Sequence, residues 1–518
     1  MMKALNNKKW SWETPPAPIP ASEIIKTVDT DVVVIGAGLA GMCAALAVKE
    51  AGATPILIEK NGTFSARGFH NAAFNSKLQQ EMGIQVNYRQ VIREWIRWAQ
   101  GRVDEELLWL FARKSGSCMD WLMDIAEAGG MKVGLWDGYY KGPDYTEYPV
   151  THIFYIPGKP DDSCNFGLGR ILEKKLKDNG IDIHYSMAAA RLIREKDGPV
   201  TGVIAGAPGS YTQYNISKGI IITTGDYTSN MEMLERYNPF ALEADAQVYA
   251  PQVTNVGEGH KIAMWAGGAM QKVEPHTTVI HLEAGAISYF FLHVNSQGKR
   301  FTNEDVNAQS KSCAKLLEPG GIAWTVYDAN GLTDVQKLVS MGLGGGLFCD
   351  QTIRLIGEEW DMEAEKTLLE DHIRTGKVVT ANTIEELAEK MRVPVDNFKA
   401  TVARYNELAA QKDDPDFGKR SELLTPIVKP PFYAGKLLST ILTASGGLHT
   451  NTNLEVLDED DQPIKNLYVA GSAAGDFFAG DYPTICPGIG HGRCITFGRL
   501  AGTIAAGKSA DFIPSKKI

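Results

Sequence analysis

Three closely spaced glycines and one more distant carboxylate are the residues whose types and spacing point most directly to chemistry. Gly36, Gly38 and Gly41 follow a run of apolar residues, and Glu59 lies about twenty residues further on. Glycines at this spacing let the backbone turn against a pyrophosphate, and the next helix then begins with its amides facing the phosphates. A carboxylate at this distance accepts hydrogen bonds from both ribose hydroxyls and repels a 2′-phosphate. The pattern predicts a dinucleotide site.

A βαβ unit is needed to position these residues. Residues 32–35 are typical of a strand buried on both faces, small residues after Gly41 suit a helix that packs closely on a sheet, and residues 55–58 form the second strand. Residues 219–226 are expected to be another buried strand of the same sheet, and residues 466–471 a strand that runs into a glycine. The predicted fold class is α/β, with a Rossmann-like dinucleotide-binding domain.

The remaining chain is expected to contain long helices and short strands. Residues 88–100 and 104–128 are amphipathic with a helical period, and residues 488–506 form a helix led by glycine. From about residue 274 the pattern changes to short apolar strands, and residues 334–434 are largely helical and charged. The change of pattern marks a domain boundary.

Composition and charge narrow the class of protein. The chain has 518 residues, of which 44% are hydrophobic, so two domains are expected. Its net charge is −10, with Lys and Arg scattered along the sequence, which argues against nucleic acid or an anionic membrane surface as a partner.

Cysteine usage and the N-terminal residues indicate the compartment. The seven cysteines are odd in number and widely spaced, so a disulfide framework, a zinc site and covalent haem are unsupported, and no metal is expected. A reducing, cytoplasmic location follows. Residues 1–29 lack an apolar run or an Arg-rich amphipathic stretch, so they are expected to be an arm on the folded body rather than a signal or membrane segment.

Seven separated segments share one resemblance. They are residues 30–60, 220–225, 294–304, 431–434, 446–451, 467–471 and 497–502. In this order they resemble the flavoproteins of the fumarate reductase and succinate dehydrogenase group, including urocanate reductase and 3-ketosteroid dehydrogenase. The resemblance implies FAD. The family's covalent attachment uses a histidine in the loop after Glu59, and His70 lies there outside the expected Ser-rich context, so FAD is expected to be non-covalent.

The resemblance also implies a discontinuous FAD-binding domain with an inserted α+β capping domain, and the flavin ring in the cleft between them. The expected boundaries are an arm at 1–29, FAD-binding segments at 30–275 and 440–518, and the cap at 276–439. The residues expected to bind FAD are Gly36, Gly38, Leu39, Ala40, Gly41, Glu59, Lys60, Arg67, Gly68, Ala189, Thr224, Gly225, Gly471, Ser472, Asp476, Gly488 and Ile489.

The glycine-led C-terminal helix is expected to influence flavin chemistry directly. Gly488, Ile489 and Gly490 are expected to offer free amides, at the positive end of the helix dipole, to the flavin N1 and C2 carbonyl. Such an arrangement favours the anionic reduced flavin.

Departures from the family pattern exclude its small dicarboxylate substrates. Ala308 stands where fumarate reductases have a proton-donating arginine. Residues 443–445 and 483–486 stand where the family has the histidine and the arginine that bind a substrate carboxylate. An unpaired buried carboxylate costs on the order of several kcal/mol. Fumarate and succinate are therefore rejected as substrates.

Five residues are candidates for catalysis. Tyr482, within Asp-Tyr-Pro, resembles the tyrosine region of 3-ketosteroid dehydrogenases with extra residues before the next glycine; it either hydrogen-bonds a substrate carbonyl or packs a loop, and we interpret it as functional. His276 either contacts substrate or is structural. Arg493 either faces flavin or substrate, or ties its helix to the cap. Asp305 and Tyr289 are the next candidates for the missing acid.

Other residues with functional side chains are interpreted as structural. Arg300 and Glu304 are expected to form an ion pair, and Phe290 and Phe291 to belong to a strand core.

These features together predict an FAD-dependent oxidoreductase that reduces a carbon–carbon double bond conjugated to a carbonyl, of the anaerobic enone or enoate reductase type. A dehydrogenase of the 3-ketosteroid type, which runs the reverse reaction, is the first alternative. An electron-carrying flavoprotein subunit without its own organic substrate is the second. A substrate-sized cavity at the cap would favour an enzyme. The sequence contains no haem motif, iron–sulfur ligand set or second nucleotide site, so an external protein or small carrier is expected to supply electrons.

Overall fold

The structure is a computed structural model that describes residues 8–139, 141, 147–159, 163–248, 253–284, 290–342 and 354–516. The strands are β1 (Ile24–Ile35), β2 (Pro55–Ile58), β3 (Asn71–Ala72), β4 (Lys132–Leu135), β5 (Thr151–Tyr155), β6 (Asp182–His184), β7 (Ala189–Arg194), β8 (Val200–Ala207), β9 (Ser210–Ile222), β10 (Ala246–Gln247), β11 (Thr278–Ala284), β12 (Leu292–Asn295), β13 (Ala323–Tyr327), β14 (Val378–Ala381), β15 (Phe432–Ala444), β16 (Glu455–Leu457) and β17 (Pro463–Val469). The helices are α1 (Leu39–Glu50), α2 (Lys77–Glu81), α3 (Tyr88–Trp98), α4 (Glu105–Ala128), α5 (Cys164–Asp178), α6 (Met231–Tyr237), α7 (Glu258–Trp265), α8 (Ala308–Leu316), α9 (Gly331–Ser340), α10 (Met362–Arg374), α11 (Ile384–Met391), α12 (Val395–Gln411) and α13 (Ile489–Ala505).

An eight-stranded sheet holds the predicted βαβ unit. Its order is β16-β17-β9-β1-β2-β6, and β8 joins β7 to β9. β1 pairs in parallel with β2 and β9, and β17 pairs in parallel with β9, so the carboxyl ends of these strands meet at one edge. The expectation that residues 219–226 join the sheet of the first strand is confirmed. The apolar end of β1 is buried, as a strand covered on both faces requires.

Helices α1 and α13 pack against each other on this sheet because small residues line their contact. A Cβ atom added at Gly502 of α13 would lie 2.2 Å from the carbonyl oxygen of Ala44, and one added at Gly498 would lie 2.4 Å from that of Ala40. Larger side chains would force the helices apart. The close approach fixes the N-terminus of α13 near the carboxyl edge of the sheet.

A six-stranded sheet forms the centre of the cap. Its order is β10-β15-β13-β12, with β11 and β14 also paired to β15. Helices α11 and α12 cover one part of it, and their buried side chains include Phe398 and Tyr405. The inserted α+β domain expected from the sequence is therefore present. Strand β15 crosses the boundary expected at residue 439, and β10 precedes the boundary expected at 276.

The described part of the N-terminal arm packs on the body of the protein. Trp10 and Trp12 are both buried, and their rings stack with centroids 5.5 Å apart. The indole of Trp265 in α7 donates a hydrogen bond to the carbonyl oxygen of Trp12 (2.8 Å). Among the helices of the described ranges, none combines the length and the apolar character needed to span a membrane.

Candidate active site

A cavity of about 680 Å³ lies between the carboxyl edge of the large sheet and the cap. Most of the residues expected to bind FAD line it. They are Gly36, Gly38, Leu39, Ala40, Glu59, Lys60, Arg67, Gly68, Ala189, Thr224, Gly225, Gly471, Ser472 and Gly488. Segments far apart in sequence therefore converge on one site.

Three residues of the expected FAD set do not line the cavity. Gly41 lies behind the wall, where an added Cβ atom would be 1.8 Å from the Gly36 carbonyl oxygen; its role is helix packing. Ile489 is fully buried in α13. The Asp476 carboxylate accepts hydrogen bonds from the His449 ring (2.7 Å) and from the Thr450 amide (2.8 Å), and so braces a neighbouring loop.

The cradle fits a dinucleotide. Gly36 has φ of 108°, and an added Cβ atom would lie 2.6 Å from the Thr223 carbonyl oxygen, so only glycine suits this turn. The Glu59 carboxylate lies at the end of β2 and accepts hydrogen bonds from the amides of Ala37 (2.8 Å) and Asn61 (2.9 Å). The buried hydroxyl of Thr224, which lines the cavity, has no hydrogen-bond partner among the residues that the structure describes. These residues would hold FAD, which supplies hydride transfer when bound.

Several lining residues were not recognised as site residues in the sequence. They are His70, Trp136, Glu147, His281, Thr443 and Thr484. The His70 and Trp136 rings pack edge to face with centroids 4.5 Å apart. Thr443 and Thr484 lie in the two segments that the sequence had matched to the family's carboxylate-binding positions, and His70 lies in the loop after Glu59. Trp136, Glu147 and His281 come from segments without a regular spacing, so no local pattern marks them.

Tyr482 lines the same cavity and is anchored by α13. Its phenol oxygen accepts a hydrogen bond from the Gly490 amide (2.9 Å), and its ring stacks on Phe478 with centroids 5.2 Å apart. Because the oxygen is the acceptor in this bond, the hydroxyl proton remains available for donation. Burial raises the pKa of Tyr482 above the ordinary tyrosine value, so the hydroxyl keeps its proton at neutral pH.

The expectation of free amides at the start of α13 is wrong for two of the three residues. The Gly490 amide is bonded to Tyr482, and the Ile489 amide donates to the Cys486 carbonyl oxygen (3.1 Å). The physical reason is that a helix N-terminus satisfies its orphan donors with nearby groups of the same chain. Helix α13 therefore offers fewer free amide donors to this wall than the sequence predicted.

His276 does not line the cavity. Its ring is fully buried, stacks on Tyr237 with centroids 4.5 Å apart, and shares a 2.7 Å hydrogen bond with the Tyr227 hydroxyl. It also packs beneath Gly446, where an added Cβ atom would lie 2.4 Å from the ring. Burial, with the nearby His260 and Arg236, lowers the pKa of His276 to about 3, so the ring is neutral at pH 7.

The remaining catalytic candidates are placed away from the cavity wall or outside the described residues. The Asp305 carboxylate pairs with the Arg420 guanidinium (2.7 Å from Nη2 to Oδ1), which connects two segments of the cap. Arg493 is fully buried in α13 behind the wall. Tyr289 lies outside the described residues.

The positions of the missing carboxylate-binding residues hold neutral side chains. Ala308 and Thr443 line the cavity, and the Thr443 hydroxyl donates to the Asp226 carboxylate (2.6 Å). Ile485 is fully buried in the core. Two cations on the described wall already have acceptors: Lys60 forms an ion pair with Glu258 (2.5 Å), and Arg67 donates to the Leu442 carbonyl oxygen (2.8 Å).

Two interpretations of structural residues are confirmed. Arg300 and Glu304 form a buried ion pair (2.8 Å), which the Asp414 carboxylate extends (2.8 Å from Arg300). Phe290 and Phe291 are fully buried in a core cluster of the cap, as expected, but they lie just before β12 rather than within a strand.

Comparison with known proteins identifies the class. The model of the FAD binding domain family matches residues 31–488. The chain therefore belongs to this family, and it is an FAD-dependent oxidoreductase of the fumarate reductase type.

Individual relatives match nearly the whole chain at low identity. A vinyl phenol reductase of Lactiplantibacillus plantarum is 27% identical over 501 residues, which cover 92% of this chain and 96% of that protein. A urocanate reductase of Eggerthella lenta is 25% identical over 519 residues, which cover 96% of this chain and 78% of that protein.

Solved structures match in fold. The open conformation of a flavocytochrome c3 fumarate reductase superposes with a TM-score of 0.68 at 25% identity, covering 96% of this chain and 82% of that one. The 3-ketosteroid-Δ4-(5α)-dehydrogenase of Rhodococcus jostii RHA1 gives a TM-score of 0.71 at 23% identity, covering 95% of this chain and all of that one. The latter match concerns the fold alone.

Proposed function

We propose that this protein reduces a carbon–carbon double bond conjugated to a carbonyl group, in an enone or enoate that carries no second carboxylate. The observation that carries the proposal is the position of the Tyr482 hydroxyl. It lines the cavity that the FAD cradle forms, and the Gly490 amide holds its oxygen (2.9 Å). FAD supplies a hydride to the β-carbon when bound.

The role of Tyr482 follows from its hydrogen bonding. A substrate carbonyl that accepts a hydrogen bond from the hydroxyl, which keeps its proton at this stage, becomes a better electron acceptor at its β-carbon, because negative charge moves onto the oxygen as hydride arrives. The Gly490 amide strengthens the hydroxyl as a donor by polarising it. The hydroxyl then transfers its proton to the α-carbon, either directly or through a water molecule.

The charges on the wall support a substrate without a pair of carboxylates. Neutral Thr443 and Ala308 occupy the relevant part of the wall, and Lys60 is already paired with Glu258. The buried Glu147 adds a carboxylate to the same wall. A small dicarboxylate entering this cavity would lose its hydration without gaining two counter-ions.

The similarity to a vinyl phenol reductase suggests a second substrate class. Vinyl phenol carries its double bond next to a phenol ring rather than a carbonyl, and the reductase named for it matches 92% of this chain. In a vinyl phenol with a para hydroxyl, loss of the phenol proton and addition of a proton to the terminal vinyl carbon give a quinone methide, an extended enone that accepts hydride at the carbon next to the ring. The test below therefore includes vinyl phenols.

A dehydrogenase would use the same cavity for the reverse reaction. We propose that the redox partners of the protein decide whether it works as a reductase or as a dehydrogenase. An electron carrier without a substrate is disfavoured, because the cap residues Val279, His281 and Thr443 line the cavity, so the FAD site is covered rather than exposed on a flat docking surface. We propose an external protein or small carrier as the electron donor, non-covalent FAD and an anaerobic setting. The six cysteines of the described ranges are all free thiols, which supports a reducing cytoplasm.

The proposal is tested by anaerobic turnover with reduced methyl viologen as the electron donor. The panel contains neutral enones, monocarboxylic enoates, vinyl phenols, steroid enones and fumarate. We expect oxidation of the viologen with at least one compound of the first four groups and no turnover of fumarate. Rapid fumarate reduction would contradict the argument from the wall charges, and inactivity toward the whole panel would favour the carrier function.

A further inference from the structure

The guanidinium of Arg493 is a buried cation without a counter-ion in the described part of the chain. Its side chain is fully buried, and the titratable groups that act on it among the described residues are Cys494 and Tyr482 rather than a carboxylate. Nη1 donates to the carbonyl oxygens of Ala474 (3.1 Å) and Ser445 (3.5 Å), whereas Nε and Nη2 have no acceptor among the described residues. The guanidinium also lies over the Phe478 ring, 4.7 Å from its centroid.

Such a group is costly to retain. An aromatic face and two carbonyl oxygens compensate only part of the desolvation of a guanidinium. Burial lowers the pKa of Arg493 to about 10, so the group is still cationic at neutral pH. Burial of an uncompensated charge is typical of functional sites rather than of a protein core. The anion that compensates this charge is therefore expected to belong to a bound ligand.

The surroundings of Arg493 identify that anion. Gly490, His491 and Cys494, which precede and follow Arg493 in α13, line the cavity. Tyr482, also on the wall, stacks on the same Phe478 ring that covers the guanidinium. Arg493 itself does not line the cavity, so it lies one side-chain layer behind the wall and acts on a ligand through its field rather than by contact.

We propose that Arg493 is a fixed positive charge that stabilises anionic states of the flavin bound in this cavity, and that it is a positioning residue rather than a catalytic one. Two electrons and one proton convert oxidised flavin into its reduced anion, which places one negative charge on the ring. Since two of the three amides at the start of α13 are already bonded, the charge of Arg493 supplies what those amides do not. The proposal requires bound FAD but does not depend on the organic substrate.

Sulfite provides a test that is independent of turnover. Its sulfur lone pair forms a bond to the flavin N5, no electron donor is needed, and the adduct carries negative charge on the ring as the reduced flavin does. The FAD-loaded protein and its Arg493→Met and Arg493→Lys variants are titrated with sulfite, and loss of flavin absorbance gives Kd. We expect Kd to rise roughly tenfold or more in Arg493→Met, the size of one charge acting over about 10 Å at an effective dielectric constant of about 20. Arg493→Lys is expected to stay within about threefold of the unmodified protein.

The flavin midpoint potential, measured against reference dyes, is the second readout, because it involves no added anion. It is expected to fall in Arg493→Met and to change little in Arg493→Lys. If Arg493→Met does not retain FAD, Arg493→Gln takes its place, since its amide can still donate to Ala474.

Phe477→Leu is the packing control. The Phe477 ring contacts the same guanidinium (5.7 Å to the centroid), and its truncation leaves the charge in place. We expect its sulfite Kd to stay close to that of the unmodified protein. The proposal is overturned if the neutral variant binds sulfite as tightly as the unmodified protein, or if Phe477→Leu weakens sulfite binding as much as Arg493→Met does.

Discussion

The FAD cradle and the cap side of the cavity are built on different principles. In the cradle, backbone geometry decides the residues: Gly36 needs a positive φ, and Gly41 and Gly498 leave no room for a Cβ atom. On the cap side, isolated side chains such as His281 and Thr443 reach the wall from separate strands. A cofactor site constrained by close backbone contacts therefore leaves a readable sequence pattern, whereas a substrate wall made of single side chains does not.

The two regions also differ in what stabilises them. The cradle depends on glycine contacts between α1, α13 and the sheet. The cap contains a buried ion network in which Glu304 contacts Arg300 (2.8 Å) and Lys419 (3.4 Å), and Arg300 also binds Asp414. Mutations in the cradle should therefore cause loss of FAD, whereas mutations in the ion network of the cap should lower the stability of the fold.

The largest expected effect is the loss of FAD from Gly36→Val. A side chain here would require a strained φ and would collide with the Thr223 carbonyl oxygen, so the turn that faces the pyrophosphate cannot form. We expect purified protein without flavin absorbance. Gly52→Ala is the matched control, because Gly52 also has a positive φ (90°) but an added Cβ atom meets nothing within 4 Å. Retention of FAD by Gly36→Val would contradict the cradle assignment.

The next largest effect is expected from Glu304→Gln in the cap. The substitution leaves Arg300 and Lys419 buried without this carboxylate, and breaking a buried ion pair costs about 3–5 kcal/mol. The free energy of unfolding, measured by urea titration, should fall by this amount at pH 7. The exposed pair of Glu385 with Lys399 (2.6 Å) offers a control, and Glu385→Gln should leave stability almost unchanged.

The difference in stability between the unmodified protein and Glu304→Gln is expected to depend on pH. Burial by itself raises the pKa of Glu304, but Lys419 and Arg300 outweigh it and the pKa is lowered below the ordinary glutamate value. A depressed carboxyl pKa stabilises the folded state above the unfolded pKa, and the contribution is lost as the pH falls through the folded pKa. The stability difference between the unmodified protein and Glu304→Gln should therefore shrink below about pH 4. A difference that is independent of pH would refute the ionic account.

A smaller effect is expected from His276→Ala, which tests whether this residue supports the site from behind. Loss of the ring removes the stacking on Tyr237 and the hydrogen bond of Tyr227, and should cost about 2 kcal/mol of stability. Tyr227→Phe removes the hydrogen bond without a cavity and should cost about 1 kcal/mol. Both are read by urea unfolding. An increase in KM without loss of stability would instead support a substrate contact by His276.

The sequence predicted the cradle well because its signals are local. Residues 219–222 form the end of β9 beside β1 with Gly225 shortly after them, and Gly488 precedes α13, as expected. The cap wall was less predictable, because β15 brings Thr443 to the cavity through pairing with distant strands. The hydrogen bond from the Gly490 amide to Tyr482 was also missed, since no spacing rule links a tyrosine to a helix amide eight residues later.

The most direct test of the central claim is the reoxidation of the reduced protein by its substrate in a stopped-flow instrument under anaerobic conditions, for Tyr482→Phe. One oxygen is lost without a cavity, so FAD should stay bound while the rate falls about a hundredfold or more, as when one oxyanion donor is removed. Tyr148→Phe is the control, because the Tyr148 hydroxyl bonds Glu94 (3.0 Å) and Tyr148 does not line the cavity. Its rate should be unchanged. Equal rates for Tyr482→Phe and the unmodified protein would contradict the account and leave the proton donor to be sought on the cap side.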